Sequence, residues 1–407
     1  MRRILTLTNW YPPHHRGGYE MNCEDVMNRM ASRGHEVTVL CSDDRLPGVE
    51  DRPSAVPVRR VLKLHWRNEA PTAAPAGKRL ALEKFNQSML EEAIEEVRPD
   101  VVSVWHMATL SLNLLTILAN RRIPVVYAIC DSWPSYALSM DPWSRTLNGS
   151  SARRLAGRLA ERLTGLSAVL PDLGSVGRAC FVSSFTQEDV RQNSPWNFAD
   201  ATVIPSGIDR AMLALPLAKK GSWRWKVGYM GRFDSRKGTE TLVRAVPHFP
   251  PDATLSMYGR GGEAERERLQ GLATELGVAD RVTFGTLDRS ELAKTYRELD
   301  CLVFPSEWPE PFGLVPLEAM ECGIPVVATG VGGSGDFLAD GINCLNFEPG
   351  DERGLAAAVS RLASDPSLRA GLVQEGHRTA ATFDVEFMAD RYEREFIAAA
   401  QGARDLS

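Results

Sequence analysis

The chain has 407 residues, 43% hydrophobic and 24% charged; this is ordinary globular material, more than one hydrophobic core usually organises, so two domains are expected. A formal net charge of -5 argues against broad nucleic-acid binding, and seven scattered cysteines without a C-x-x-C pair point to a reducing compartment and away from a zinc site. No apolar run approaches the ~18 residues of a membrane span, and the run after Arg2-Arg3 is too short for a signal peptide, so a cytoplasmic protein is expected.

Ile4 to Thr8 reads as a buried strand, followed by a loop from Asn9 to Gly18 that holds His14, His15 and the pair Gly17-Gly18. Tyr19 to Arg33 then has helical periodicity through Met21, Val26, Met27 and Met30, and Glu36 to Cys41 is the next strand. This strand, loop, helix, strand unit predicts a parallel sheet, whose ligands collect beyond the carboxyl ends of the strands, where Gly17 and Gly18 fall. Pro53 to Gly77, rich in proline and alanine, predicts a long excursion. A helix from Arg79 to Glu96 leads to a strand ending at Val104, with His106 just beyond it. Pro124 to Ile129 is a further strand, running into Cys130-Asp131. Arg154, Arg158 and Arg162 share one helical face, either a solvated one or a contact for an anionic acceptor or a membrane surface. Ala168 to Asp172, Ala179 to Ser183 and Thr202 to Pro205 read as short strands, Ser184 to Gln192 as a helix, and Ala211 to Gly221 as a linker.

The second half opens on the strand Lys226 to Met230, then Gly231-Arg232-Phe233-Asp234-Ser235-Arg236-Lys237-Gly238, then a helix. Arg232 offers a planar fork and Lys237 a point charge, a pairing suited to a diphosphate. Leu255 to Met257 leads into a glycine-rich loop containing Gly259, and strands follow at Arg281 to Phe284 and Asp300 to Phe304. The last of these stops at Pro305; the polar loop after it carries Glu310, and the helix from Leu314 to Gly323 carries Glu318. Gly313 lets backbone come close to a ligand, and the free amides at the start of the helix make a donor-rich, partly positive pocket. A carboxylate on each side of it suits a molecule bearing both hydroxyls and phosphate. Pro325 to Thr329 is one more strand, and Asp351 to Ala363, Pro366 to Phe383 and Val385 to Ala400 read as helices.

The string Glu310-Pro-Phe-Gly-Leu-Val-Pro-Leu-Glu318-Ala-Met resembles, in order, the E-x7-E signature of the retaining glycosyltransferases of family 4. The resemblance covers nearly the whole chain, tightly from Val227 to Thr329. It implies an α/β protein of the GT-B fold, two Rossmann-like domains with parallel sheets facing across a cleft. Residues 1–210 would bind the acceptor and 222–384 the nucleotide-sugar donor, with a last helix, 385–402, packing back on the first domain. It further implies that Glu310 lies against the donor sugar, that amides near Phe312, Gly313 and Leu314 help hold it, and that Glu318 binds the ribose hydroxyls. Arg232 and Lys237 would grip the diphosphate, Gly259 would pass near the nucleotide, and Gly17-Gly18 would let backbone approach the donor phosphates. Where many members carry a His-Asp pair this chain has Cys130-Asp131, which makes Asp131 the candidate to orient or deprotonate the acceptor and His106 a candidate for part of the same site. The implied reaction moves a sugar from a nucleotide-diphosphate sugar to a hydroxyl of a small molecule, lipid or glycan, with retention. No Asp-x-Asp cluster stands at a strand end, so neither metal nor cofactor is expected. A nucleotide-sugar-binding protein without transfer activity, or a GT-B epimerase or phosphorylase, fits the same residues.

Overall fold

The computed structural model describes residues 1–67, 70–71, 76–148, 150–214, 222–259 and 263–402. The chain divides into two compact units, one of Met1–Pro205 with Glu386–Ser407 and one of Ser206–Val385. Part of the expected linker (215–221), part of the proline-rich excursion (68–69 and 72–75) and the tip of the glycine-rich loop (260–262) lie outside the described residues.

Among the described residues the first unit holds the strands β1 (Arg3–Leu7), β2 (Glu36–Ser42), β3 (Val58–Leu62), β4 (Trp66–Arg67), β5 (Ala70–Pro71), β6 (Val101–Val104), β7 (Val125–Ile129), β8 (Gly177–Phe181) and β9 (Ala201–Val203). Seven form one sheet in the order β3-β2-β1-β6-β7-β8-β9, every pair parallel, while β4 and β5 make a small antiparallel ribbon. Helices flank such a sheet on both faces, so its inner strands are apolar throughout: β6 and β7 are buried at every residue. The order reverses between β1 and β6, and the crevice beyond the carboxyl ends of those two strands is where a doubly wound sheet takes a ligand.

The second unit repeats the plan with β10 (Lys226–Met230), β11 (Thr254–Tyr258), β12 (Val282–Gly285), β13 (Cys301–Phe304), β14 (Val326–Ala328) and β15 (Leu345–Asn346) in the parallel order β12-β11-β10-β13-β14-β15. Here the reversal falls between β10 and β13. The loops that leave those two strands carry Arg232 and Lys237 on one side and Glu310 on the other.

The helix Val385–Gly402 begins in the second unit, where the Val385 amide donates to the Ile208 carbonyl, and continues in the first. Tyr392 and Phe396 are fully buried there, with the Tyr392 ring 5.4 Å from that of Trp105. Ion pairs from Arg29 and Arg33 to Glu386, from Arg33 to Glu393 and from Arg178 to Glu395 fasten the same helix, and His35 Nε2 lies 2.9 Å from Glu393 Oε1.

Some expected elements differ. Ala168 to Asp172 is not a strand, because side chains take its backbone donors before a sheet can: Glu161 Oε1 accepts from the amides of Ala168 and Val169, and Asn148 Oδ1 from that of Leu170. The excursion after Pro53 contains β3, which pairs with β2 as an edge strand. The helices Asn113–Asn120, Trp133–Met140 and Pro142–Asn148 stand in segments where the sequence pattern predicts no element.

Candidate active site

In the second unit the backbones beyond β10, β11 and β13 come so close that only glycine fits. A Cβ on Gly259 would lie 1.6 Å from the Gly231 carbonyl oxygen, and one on Gly238 would lie 1.9 Å from that of Pro305. Gly238 also has φ 65, a left-handed conformation that other residues adopt at a cost. Between Gly231 and Gly238, Asp234 caps a single 3-10 turn, Ser235–Lys237, and the Arg236 guanidinium holds the Asp234 carboxyl down to about 2. The Arg236 carbonyl in turn accepts from the amides of Glu307 and Trp308, which clamps this loop to the one after β13.

The clamp brings Lys237 onto Glu310. Lys237 Nζ lies 2.5 Å from Glu310 Oε1, which also accepts from the Ser306 hydroxyl at 2.7 Å. Glu310 is only 5% exposed, and its carbonyl accepts from the Gly333 amide at 2.6 Å, so the residue is held by side chain and backbone together. Among the described residues Oε2 takes no protein donor. Arg232 is exposed and forms no ion pair among the described residues, while its carbonyl accepts from the Tyr229 hydroxyl at 2.6 Å.

Gly313, at φ 93, caps the helix Leu314–Glu321 without any side chain, so no side chain shields the amides at its start. The Phe312 ring turns into a buried cluster with Phe337 and Phe383, at 5.2 and 5.6 Å, which fixes its backbone. Glu318, one turn into the helix, accepts from the Tyr296 hydroxyl at 2.7 Å; burial pushes its carboxyl up, with that hydrogen bond opposing. Gly259 shapes the site but lends it no donor, since its amide is bonded to the Gly285 carbonyl at 2.9 Å.

The first unit brings His106 and Asp131 together, the two residues expected to share one site. The loop after β1 is tied to the loop after β6 by the Asn9 amide on the His106 carbonyl. The Asn9 side-chain amide lies 2.6 Å from His106 Nδ1; with that amide donating, the proton of a neutral imidazole sits on Nε2, which lies 3.5 Å from Asp131 Oδ2. Asp131 also accepts from the Tyr136 hydroxyl at 2.6 Å and the Trp133 amide at 3.0 Å, and the Tyr19 ring stacks on the imidazole at 5.0 Å. Burial pushes the Cys130 thiol well up, away from the range of a proton relay near neutral pH. Gly17 and Gly18 are exposed at the start of the helix Gly18–Ser32, where the buried Glu20 carboxylate accepts from the amides of Arg16 and Gly17 at 3.2 and 3.0 Å. That Gly17 amide is therefore engaged within the protein. None of Asn9, Tyr136 and Ser306 was singled out by sequence; Tyr136, about one helical turn past Asp131, carried the clearest signal of the three.

One buried group among the described residues, His65, Glu83 and Asp141, has the composition of a metal site. Protein donors already serve both Asp141 oxygens, the amides of Trp143 and Ser144 on Oδ1 and the Leu112 amide and Ser144 hydroxyl on Oδ2. His65 Nε2 lies 2.8 Å from Glu83 Oε1 and 3.8 Å from Asp141 Oδ1.

Family models match both units: the one described as glycosyl transferases group 1 over residues 218–379, and the one described as glycosyltransferase family 4 over residues 16–211. The chain is 27% identical to the glycogen synthase of Mycobacterium tuberculosis over 99% of its own length and 96% of that protein. To the D-inositol 3-phosphate glycosyltransferase of Stackebrandtia nassauensis it is 39% identical over 40% of this chain and 39% of the other. Among solved structures, Anabaena HepE in complex with UDP-glucose superposes with a TM-score of 0.70 at 21% identity, covering 98% of this chain and 100% of the other. Sucrose-phosphate synthase from Thermosynechococcus elongatus gives 0.69 at 23% identity over 98% and 100%. At these identities the structural likeness is one of fold.

Proposed function

Because the chain belongs to the family 4 glycosyltransferases, with their GT-B fold, we propose that it transfers a sugar from a nucleotide-diphosphate donor to an acceptor hydroxyl with retention at the anomeric carbon. The observation that carries this reading is the Lys237–Glu310 pair at the sheet reversal of the second unit, beside an uncapped helix start. Glu310 Oε2 accepts from a hydroxyl of the donor sugar, and Glu318 accepts from the ribose. Lys237, Arg232 and the amides at Leu314 meet the negative charge that develops on the diphosphate as the sugar leaves. Fixed donors aimed at developing charge commonly lower the barrier more than any other single effect.

On the acceptor side, Asp131 takes the hydroxyl proton, and the His106 imidazole and Tyr136 hydroxyl orient the carboxylate. This trio fills the role of the His-Asp pair that Cys130 interrupts. The complex of Anabaena HepE with UDP-glucose supports a UDP-sugar as the first donor to try.

The test is release of nucleoside diphosphate from a panel of radiolabelled nucleotide sugars, with and without acceptor extract. Acceptor-dependent release is expected with one donor. Lys237→Ala should lower kcat about 100- to 1,000-fold, the usual cost of removing one such donor, with the fold intact. Tight binding with no release in any combination overturns the proposal.

A further inference from the structure

The helix Ser151–Thr164 of the first unit turns an apolar stripe to solvent. Leu155, Leu159 and Leu163 are 68, 58 and 77% exposed, and they follow one another at spacings of four. At 3.6 residues per turn they fall within an arc of about 80°, roughly opposite Gly157. Gly157 marks the inner face, where a Cβ would meet Val169 at 3.0 Å and Leu147 at 3.4 Å. The leucines therefore point straight out, and single exposed leucines are common where three in register are not.

Charge sits beside them. Arg154, Arg158 and Arg162 are all exposed along one flank of the stripe, and none of the three pairs with a carboxylate among the described residues. The only acid of the helix, Glu161, is turned inward onto the amides of Ala168 and Val169 at 2.7 and 2.9 Å. Elsewhere in this chain exposed arginines commonly find acids, as Arg191 does with Glu188 and Arg378 with Glu375. An outward apolar face bordered by unneutralised arginines has the amphipathic form of a helix that lies in a lipid interface. The leucines enter the acyl boundary while the long arginine stems lift the guanidinium groups to the headgroups.

We propose that this helix docks the protein on an anionic lipid surface. The inference is independent of the transferase reading, since it uses no residue of either candidate site. Charge complementarity selects the partner: a neutral bilayer satisfies the leucines and leaves the arginines unanswered. A basic residue close to an anionic surface strengthens binding about fivefold.

The test is co-sedimentation of the full chain with vesicles of phosphatidylcholine alone and of phosphatidylcholine mixed with phosphatidylglycerol, at low and high salt. Binding to the anionic vesicles at low salt is expected, weakened by high salt, as screening requires. Two triple variants carry the assignment: Leu155→Ser with Leu159→Ser and Leu163→Ser, and Arg154→Gln with Arg158→Gln and Arg162→Gln. Each should bind anionic vesicles at least about tenfold more weakly, with unchanged circular dichroism and unchanged nucleotide binding. Equal binding to both vesicle types, no binding at low salt, or variants that bind like the parent would overturn the proposal. So would a dimer that the leucine variant dissolves, because a second copy would then own the stripe.

Discussion

Glu318 is required in its ionised form by the proposed chemistry while its surroundings favour the proton. Burial raises its folded pKa above the ordinary value, so its contribution to stability is fully present below the unfolded pKa and is lost as pH rises through the folded one. Ligand binding runs the other way, since only the carboxylate accepts from both ribose hydroxyls. Nucleoside diphosphate affinity should therefore rise with pH through that raised pKa, and Glu318→Gln should flatten the rise. Calorimetric titration of both proteins across pH isolates the carboxylate, because ligand phosphate titrates equally in each. Parallel profiles would remove Glu318 from the ribose. As candidates, Glu318, Glu310, Arg232 and Lys237 stood out in the sequence because chemistry, spacing and loop position agreed, and the structure brings Lys237 onto Glu310. His106 and Asp131 were expected in one site and do meet, but Asn9 and Tyr136, which hold them, were not foreseen, because no local pattern records which side chains meet from the ends of different strands.

At the scale of elements, the candidate donor site depends on three loops that approach so closely that no Cβ fits at Gly259 or Gly238. Gly259 donates nothing to a ligand, yet it is the residue that allows the ends of β10 and β11 to close, since any Cβ would overlap the Gly231 carbonyl. Gly259→Ala should cost at least about 1–3 kcal/mol as an overpacking change and should displace Gly231 and Arg232. Denaturant unfolding and nucleotide titration of the variant check this together, and full stability with unchanged affinity would show that the loops relax freely. The strands behind these loops were readable because β13 is an unbroken apolar run ended by proline, and β10 and β11 are short, mainly apolar runs ended by glycine. Other segments were not. β3 carries two arginines in five residues and lies at an edge, so its composition resembles loop. Ala168 to Asp172 has strand-like composition, but Glu161 and Asn148 occupy its donors, a tertiary event that propensity cannot anticipate.

The molecule as a whole carries two separate cores, and that decides how it unfolds. Leu5, Val104, Tyr127 and Ile129 belong to one, Val227, Leu255, Met257 and Val303 to the other. A chain built so need not melt in one two-state transition. The helix Val385–Gly402 packs its buried Tyr392 on Trp105 of the first unit, and its Glu393 joins Arg33 at 2.7 Å and His35 at 2.9 Å. Because Glu393 is a quarter exposed, Glu393→Gln should cost only about 1 kcal/mol, and that loss should appear in the transition of the first unit. A nucleoside diphosphate at 100 times its Kd adds about 2.7 kcal/mol to whatever it binds. Held by the second unit, it should raise that unit's Tm by roughly 5–10 °C. Scanning calorimetry should thus show two transitions, one moved by ligand and restored by Lys237→Ala, the other lowered by Glu393→Gln. If ligand and Glu393→Gln moved the same transition, the donor site and the C-terminal helix would belong to one cooperative body, and assigning the donor to the second unit alone would fail.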